Sequence, residues 1–78
     1  MNSERRLLLK EMVAQLEQIE EKLRGIWIDE EESYEARTPA SKETEQGVAS
    51  QEATKDFERA FDSIEEGCEI LRGIVGQP

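Results

Sequence analysis

The chain has 78 residues, of which 37% are charged, and 19 acidic against 10 basic side chains give a net charge of −9. It has no histidine and one cysteine, Cys68, which excludes an intramolecular disulfide and a thiolate–imidazole zinc site within one chain. The acidic excess argues against direct binding to nucleic acid or to anionic membranes, and it favours basic partners. We therefore expect no cofactor, no metal site and no enzymatic activity.

The length predicts a single domain that gains stability from a partner. A core this small supplies only about 3–5 kcal/mol, and disulfide or metal staples are not available to this chain. The longest early apolar run, Leu7–Leu9, is too short for a secretory signal, and no run approaches the ~20 residues of a membrane span. We expect a cytoplasmic protein.

A long first helix is predicted from about residue 3 to about residue 35, with Ser3 as its N-cap. Its apolar residues recur at alternating steps of three and four, which is the spacing of a coiled-coil seam. The predicted seam residues are Leu9, Met12, Leu16, Ile19, Leu23 and Ile26.

The connection is predicted over residues 36–49. Pro39 disfavours helical geometry at Thr38, and Gly47 is a second helix breaker. A short helical turn over 41–46 is compatible with this segment. Ser50 is the predicted cap of the helix that follows.

A second helix is predicted from about residue 50 to about residue 75, and Gly76 is its stop signal. It carries the same seam spacing. The seam residues are Ala53, Phe57, Phe61, Ile64, Cys68, Leu71 and Val75.

The two seams can be aligned as an antiparallel hairpin. Facing residues then have positions that add to 83 or 84 in six successive layers, with the turn centred near residue 42. In this register Cys68 lies in the core opposite Leu16, as a small buried residue. The predicted fold is all-α, an antiparallel two-helix hairpin of the coiled-coil type.

Apolar residues flank both predicted seams and need cover, which favours a homodimer that forms a four-helix bundle. A heteromeric partner would meet the same need. Trp27 either anchors such an interface or packs on the second helix near Phe57. The predicted self-association residues are Leu8, Val13, Trp27, Ala60, Ile70 and Ile74.

An acidic patch precedes the connection. Residues 29–56 carry a net charge of −6, whereas residues 1–28 carry five acids and five bases. The patch is either a docking site for a basic protein surface or a solvated helix end. Tyr34 beside it either packs over the loop end of the core or stands exposed for recognition. The patch residues are Asp29, Glu30, Glu31, Glu32 and Glu35.

Three stretches carry a family resemblance: the acidic run 29–35, then Pro39 with Ser41, and the run 57–67. Across Ile28 to Leu71 the chain resembles small acidic helical-hairpin proteins of phages and mobile elements of gut bacteria. The resemblance implies no activity and no functional residues, but it implies an origin in a mobile element.

These observations predict a non-enzymatic protein-interaction module that self-associates. The alternative is an inhibitor that mimics nucleic acid through its acidic surface and blocks a host defence protein.

Overall fold

Two long helices form most of the protein. The computed structural model describes residues 1–77, with α1 at Ser3–Glu35, α2 at Pro39–Lys42 and α3 at Glu45–Val75. The Cα positions span 58 × 15 × 14 Å, because α1 and α3 pack against each other as the two arms of a hairpin. The predicted all-α hairpin is confirmed. Within residues 1–77, no helix is long and apolar enough to cross a membrane.

The outer ends of the two arms are set by short-range signals. Asn2, rather than the predicted Ser3, is the N-cap of α1, and its side-chain oxygen accepts a hydrogen bond from the Arg5 amide at 2.8 Å. A cap one residue earlier satisfies the same free amides of the first turn. At the other arm, α3 ends at Val75 and Gly76 caps it, as predicted.

The connection is shorter than predicted, because two threonines cap helices within it. Thr38 has extended geometry before Pro39 and accepts a hydrogen bond from the Ser41 amide, which starts α2. Thr44 accepts one from the Gly47 amide at 3.2 Å, so α3 starts at Glu45, five residues before the predicted start. These hydroxyl caps supply acceptors for free amides, which outweighs the low helix propensity of a glycine in the first turn.

Gly47 lies in that first turn because the chain folds back tightly onto it. It is buried, and a Cβ at this position would overlap the backbone carbonyl oxygens of Ser41 and Lys42. The residue predicted as a helix breaker therefore permits the close approach of α2 to α3.

The predicted seam of α3 is confirmed. Phe61 and Cys68 are buried, and the other predicted positions are half-buried. The seam also extends toward the loop through Thr54, Ser50 and Gly47, at the same alternating steps.

The predicted seam of α1 is half wrong. Leu9, Leu16 and Leu23 face α3 and are half-buried, as predicted. Met12, Ile19 and Ile26 do not face α3, since their side chains are 48%, 48% and 55% exposed. The facing positions alternate instead with residues one step further along the chain, namely Val13, Glu20, Trp27 and Tyr34.

Contacts across the hairpin bracket the predicted register. The positions add to 80 for Glu30 with Ser50 and to 88 for Trp27 with Phe61, on either side of the predicted 83 to 84. The three predicted layers that contain Met12, Ile19 and Ile26 are absent, because those side chains lie on a flank of the hairpin.

Candidate interaction surfaces

One flank of the hairpin is charged. The Arg72 guanidinium donates a hydrogen bond to the Glu17 carboxylate at 2.8 Å and so links α3 to α1 on this side. The Glu17 carboxylate raises the pKa of Arg72 by accepting this bond. Residues seven apart lie on the same side of a helix, so Lys10 and Arg24 share this flank with Glu17. We call it the charged face.

The opposite flank is apolar, and we call it the apolar face. On α1 it carries three of the exposed aliphatic residues, Met12, Ile19 and Ile26, which are seven residues apart. On α3 the positions directly before the deep seam residues Phe61 and Cys68 are Ala60 and Gly67. They lie on the flank away from Arg72, and so beside the α1 stripe, because Arg72 marks the other edge of the same seam. A ridge of large side chains therefore runs along a shallow strip of small ones.

The predicted self-association residues divide between the seam and the surface. Val13 is 8% exposed and Trp27 is half-buried, so the structure places both between α1 and α3 instead of on the flank. Leu8, Ala60 and Ile70 are exposed, whereas Ile74 is half-buried. The two corrections have one cause: α1 presents the 13–27 side of its apolar surface to α3 and leaves the 12–26 side free.

Trp27 packs on α3, where it contacts a residue one turn further along the helix than the predicted Phe57. Its ring centroid lies 5.8 Å from that of Phe61, and the two rings are tilted by 48°. The Arg24 guanidinium lies over the Phe61 ring, 5.0 Å from its centroid. This arrangement is an aromatic pair with a cation over one ring, both of which favour association of the two helices.

The acidic patch is divided by the fold. The Glu30 carboxylate is half-buried and accepts a hydrogen bond from the Ser50 hydroxyl at 2.7 Å. Glu35 lies 3.7 Å from the Lys42 ammonium. The other three carboxylates are exposed in the last turns of α1, and these are Asp29, Glu31 and Glu32.

Tyr34 packs over the loop end of the core. It is half-buried, and the Lys42 ammonium lies 5.1 Å from its ring centroid. The cation on the ring fixes α2 against the end of α1. Of the two predicted roles for Tyr34, packing is the one that the structure places there.

Cys68 is fully buried in the seam, where it meets Glu20 of α1. The neighbouring Glu20 carboxylate raises the pKa of the Cys68 thiol, and burial raises it further. Both effects favour the neutral thiol, which is the poor nucleophile of the two forms. The geometry fits a structural role for this cysteine.

A shallow cleft opens at the end of the hairpin away from the loop. Its volume is about 280 Å³, and Val13 and Val75 form its apolar walls. Lys10 and Arg72 lie on its rim beside Glu17. Within residues 1–77 no group of three or more His, Cys, Asp or Glu side chains lies close enough to hold a metal ion.

The inner side chains of α1 that the predicted seam leaves out did carry a signal. Val13, Trp27 and Tyr34 are spaced by fourteen and seven residues, and Glu20 occupies the gap. This is a heptad row interrupted by one acid, whereas the row with Met12, Ile19 and Ile26 has no interruption. Periodicity alone ranks the uninterrupted row first.

Comparison of the chain with protein-family models, with curated proteins and with solved structures finds no match in any of the three.

Proposed function

We propose that this protein is a non-enzymatic interaction module that self-associates through its apolar face. The observation that carries the proposal is the exposure of Met12, Ile19 and Ile26 on one side of the hairpin. Burial of apolar surface contributes about 25 cal/mol per Å². Three large aliphatic side chains in one row therefore supply a driving force for association that a solvated surface would not.

The contrast with the charged face supports the same proposal. Glu17 and Arg72 pair across that face, with Lys10 and Arg24 beside them. Contiguous apolar surface rimmed by polar residues is the usual sign of a protein interface. The apolar face meets that description, and the charged face does not.

Size-exclusion chromatography with light scattering tests the proposal. At tens of micromolar we expect twice the 8.9 kDa mass of the chain. Ile19→Glu places a charge in the middle of the apolar face, and we expect it to return the mass to that of one chain while circular dichroism stays helical. Gln18→Glu, an exposed neighbour on the outer surface of α1, adds the same charge and should leave the dimer intact. A single-chain mass for the unaltered protein contradicts the proposal.

A second candidate function uses the acidic end of the hairpin. Asp29, Glu31 and Glu32 are exposed within a segment of net charge −6. Clustered carboxylates on a rigid helix can occupy a cationic groove built for phosphates. The corresponding proposal is a nucleic-acid-mimicking inhibitor of a host defence protein, encoded by a phage or another mobile element.

Competition with target DNA on a panel of purified RNA-guided nucleases tests this second candidate. We expect displacement of the DNA, a steep decline with ionic strength, and loss of the effect on reversal of Asp29, Glu31 and Glu32 to lysine. Glu30 is left unchanged because it holds Ser50. Displacement that survives the triple reversal contradicts mimicry, and so does the absence of displacement across the panel.

A further inference from the structure

We propose that the second copy packs on the apolar face head to tail, so that the two loop ends lie at opposite ends of a four-helix bundle. This inference rests on the proposed self-association and specifies its geometry. It places α1 against the partner's α1 and α3 against the partner's α3, related by a two-fold axis that crosses the hairpin near its middle.

The long side of the hairpin that carries the apolar face is large enough to hold a stable dimer. A body with Cα extents of 58 Å by 15 Å presents about 870 Å² along one long side. Stable dimers bury about 800 Å² on each partner. One side of this hairpin therefore matches the area that a second copy needs, whereas a small ligand would cover a minor part of it.

Charge decides between the two symmetric ways of placing that copy. Residues 29–56 at the loop end carry −6, whereas the opposite end of the hairpin is neutral in sum, with +2 in residues 1–10 of α1 and −2 in residues 65–77 of α3. A two-fold axis along the hairpin would bring the two acidic ends together. An axis across the hairpin brings each acidic end beside the basic start of the partner's α1, and that arrangement is electrostatically complementary.

The side chains of the apolar face fit the same arrangement. With Ile19 on the axis, Met12 lies opposite the partner's Ile26, so the α1 row meets its own reversed copy. On α3, Ala60 lies opposite the partner's Gly67. Small residues at this position let the two α3 backbones approach closely, while the larger aliphatic residues fill the space between the two α1 helices.

The rim of the interface completes the charge pattern. Reversal about Ile19 places Arg5 opposite the partner's Ser33, one turn from the partner's Asp29, and both Arg5 and Asp29 are exposed in the single chain. Two such pairs form in the dimer because of its symmetry. Rim pairs of this kind set the orientation of a complex more than its total affinity.

Distance measurement between two spin labels tests the orientation. Ala40 is exposed in α2 at the loop end, and Ala40→Cys in a Cys68→Ala background gives one label per chain. For the head-to-tail dimer we expect a separation comparable to the 58 Å length of the hairpin. A separation below about 30 Å would place the loop ends together and overturn the inference. A two-chain mass with no measurable distance overturns it as well, because face-to-face copies keep both labels within range.

Charge reversal at the rim gives a second, independent test of the orientation, with dimer affinity as the measured quantity. Arg5→Glu should weaken the head-to-tail dimer about three- to tenfold, because two rim pairs become repulsive. Adding Asp29→Lys restores an opposite-charge pair and should recover the affinity. If Arg5→Glu leaves the affinity unchanged or strengthens the dimer, the inferred orientation is wrong.

The outcomes separate the inference from the function on which it rests. A single-chain mass for the unaltered protein overturns both the self-association and its geometry. A two-chain mass with a short label separation retains the self-association and overturns the head-to-tail geometry. Retained helicity of the labelled variant by circular dichroism confirms that the measurement reports on the folded protein.

Discussion

Two neighbouring rows of side chains on α1 have opposite fates. The inner row, with Val13, Glu20, Trp27 and Tyr34, faces α3. The outer row, which is one residue behind it and includes Met12, Ile19 and Ile26, is exposed. The more hydrophobic row is therefore the one that the hairpin leaves outside.

The difference shows that shape and pairing selected the inner row. Trp27 reaches Phe61, and aromatic side chains bury more area than aliphatic ones. Glu20 lies in this row beside the buried Cys68 thiol, and its carboxylate raises the pKa of that thiol. A wide apolar surface on α1 can thus serve two contacts, one within the chain and one proposed between copies.

The largest expected effect separates the two rows by stability. Trp27→Ala should lower the free energy of unfolding by about 2–4 kcal/mol, because it removes a half-buried aromatic from the seam. Ile26→Ala, its neighbour in the outer row, should change it by less than about 1 kcal/mol. Urea unfolding in the Ile19→Glu background, which removes any contribution from association, measures both. Equal losses for the two variants would contradict the assignment of the rows.

The second expected effect concerns the polar end of the seam. Ser50→Ala should destabilise the protein by about 1–2 kcal/mol, because the half-buried Glu30 carboxylate loses a charge-assisted hydrogen bond. Ser63→Ala is the matched control, since its exposed hydroxyl donates only to the Arg59 carbonyl of the same helix. Thermal unfolding of both variants measures the difference, and a harmless Ser50→Ala would show that this contact is not part of the seam.

A smaller effect is expected on the charged face. The ion pair of Glu17 with Arg72 is about half exposed, so a double-mutant cycle to alanine should give a coupling below about 1 kcal/mol. Salt at 1 M should reduce that coupling further. A coupling of several kcal/mol would mean that the charged face, like the inner row, holds the hairpin together.

The smallest expected effect concerns the Cys68 thiol. Its raised pKa changes the free energy of unfolding with pH only under alkaline conditions. Its pKa in the folded protein is raised above the ordinary 9.0 by Glu20 and by burial, so the folded state holds the thiol proton more tightly than the unfolded state. That stabilisation is complete below the unfolded pKa and is lost as the pH rises through the folded pKa.

Unfolding curves between pH 7 and pH 11 measure this loss. Glu20→Gln should bring the pKa of Cys68 in the folded protein closer to its value in the unfolded protein, because the carboxylate is the largest cause of the raised pKa. The pH range over which stability is lost should then be narrower. In Cys68→Ala the part of the alkaline loss that comes from the thiol should vanish. An alkaline profile identical in the unaltered protein and in Cys68→Ala would contradict the buried thiol pair.

The hairpin, the antiparallel order of its arms and the seam of α3 follow from the sequence alone, because local spacing fixes which side of each helix is apolar. The end of α3 at Gly76 and the extended geometry before Pro39 follow from the sequence as well. Ser50 was predicted as a cap but lies inside α3, because Thr44 begins the helix earlier. That choice depended on how closely α2 approaches Gly47, which local sequence does not encode.

Tertiary packing alone decided which apolar row of α1 faces α3. Both rows share Leu9, Leu16 and Leu23, and they differ by a rotation of one residue about the helix axis. Periodicity measures how apolar a row is, but not whether Trp27 can reach Phe61 or whether Glu20 lies beside Cys68. Those contacts join residues more than thirty positions apart, so the packing of the two arms fixes them and leaves Met12, Ile19 and Ile26 on the surface.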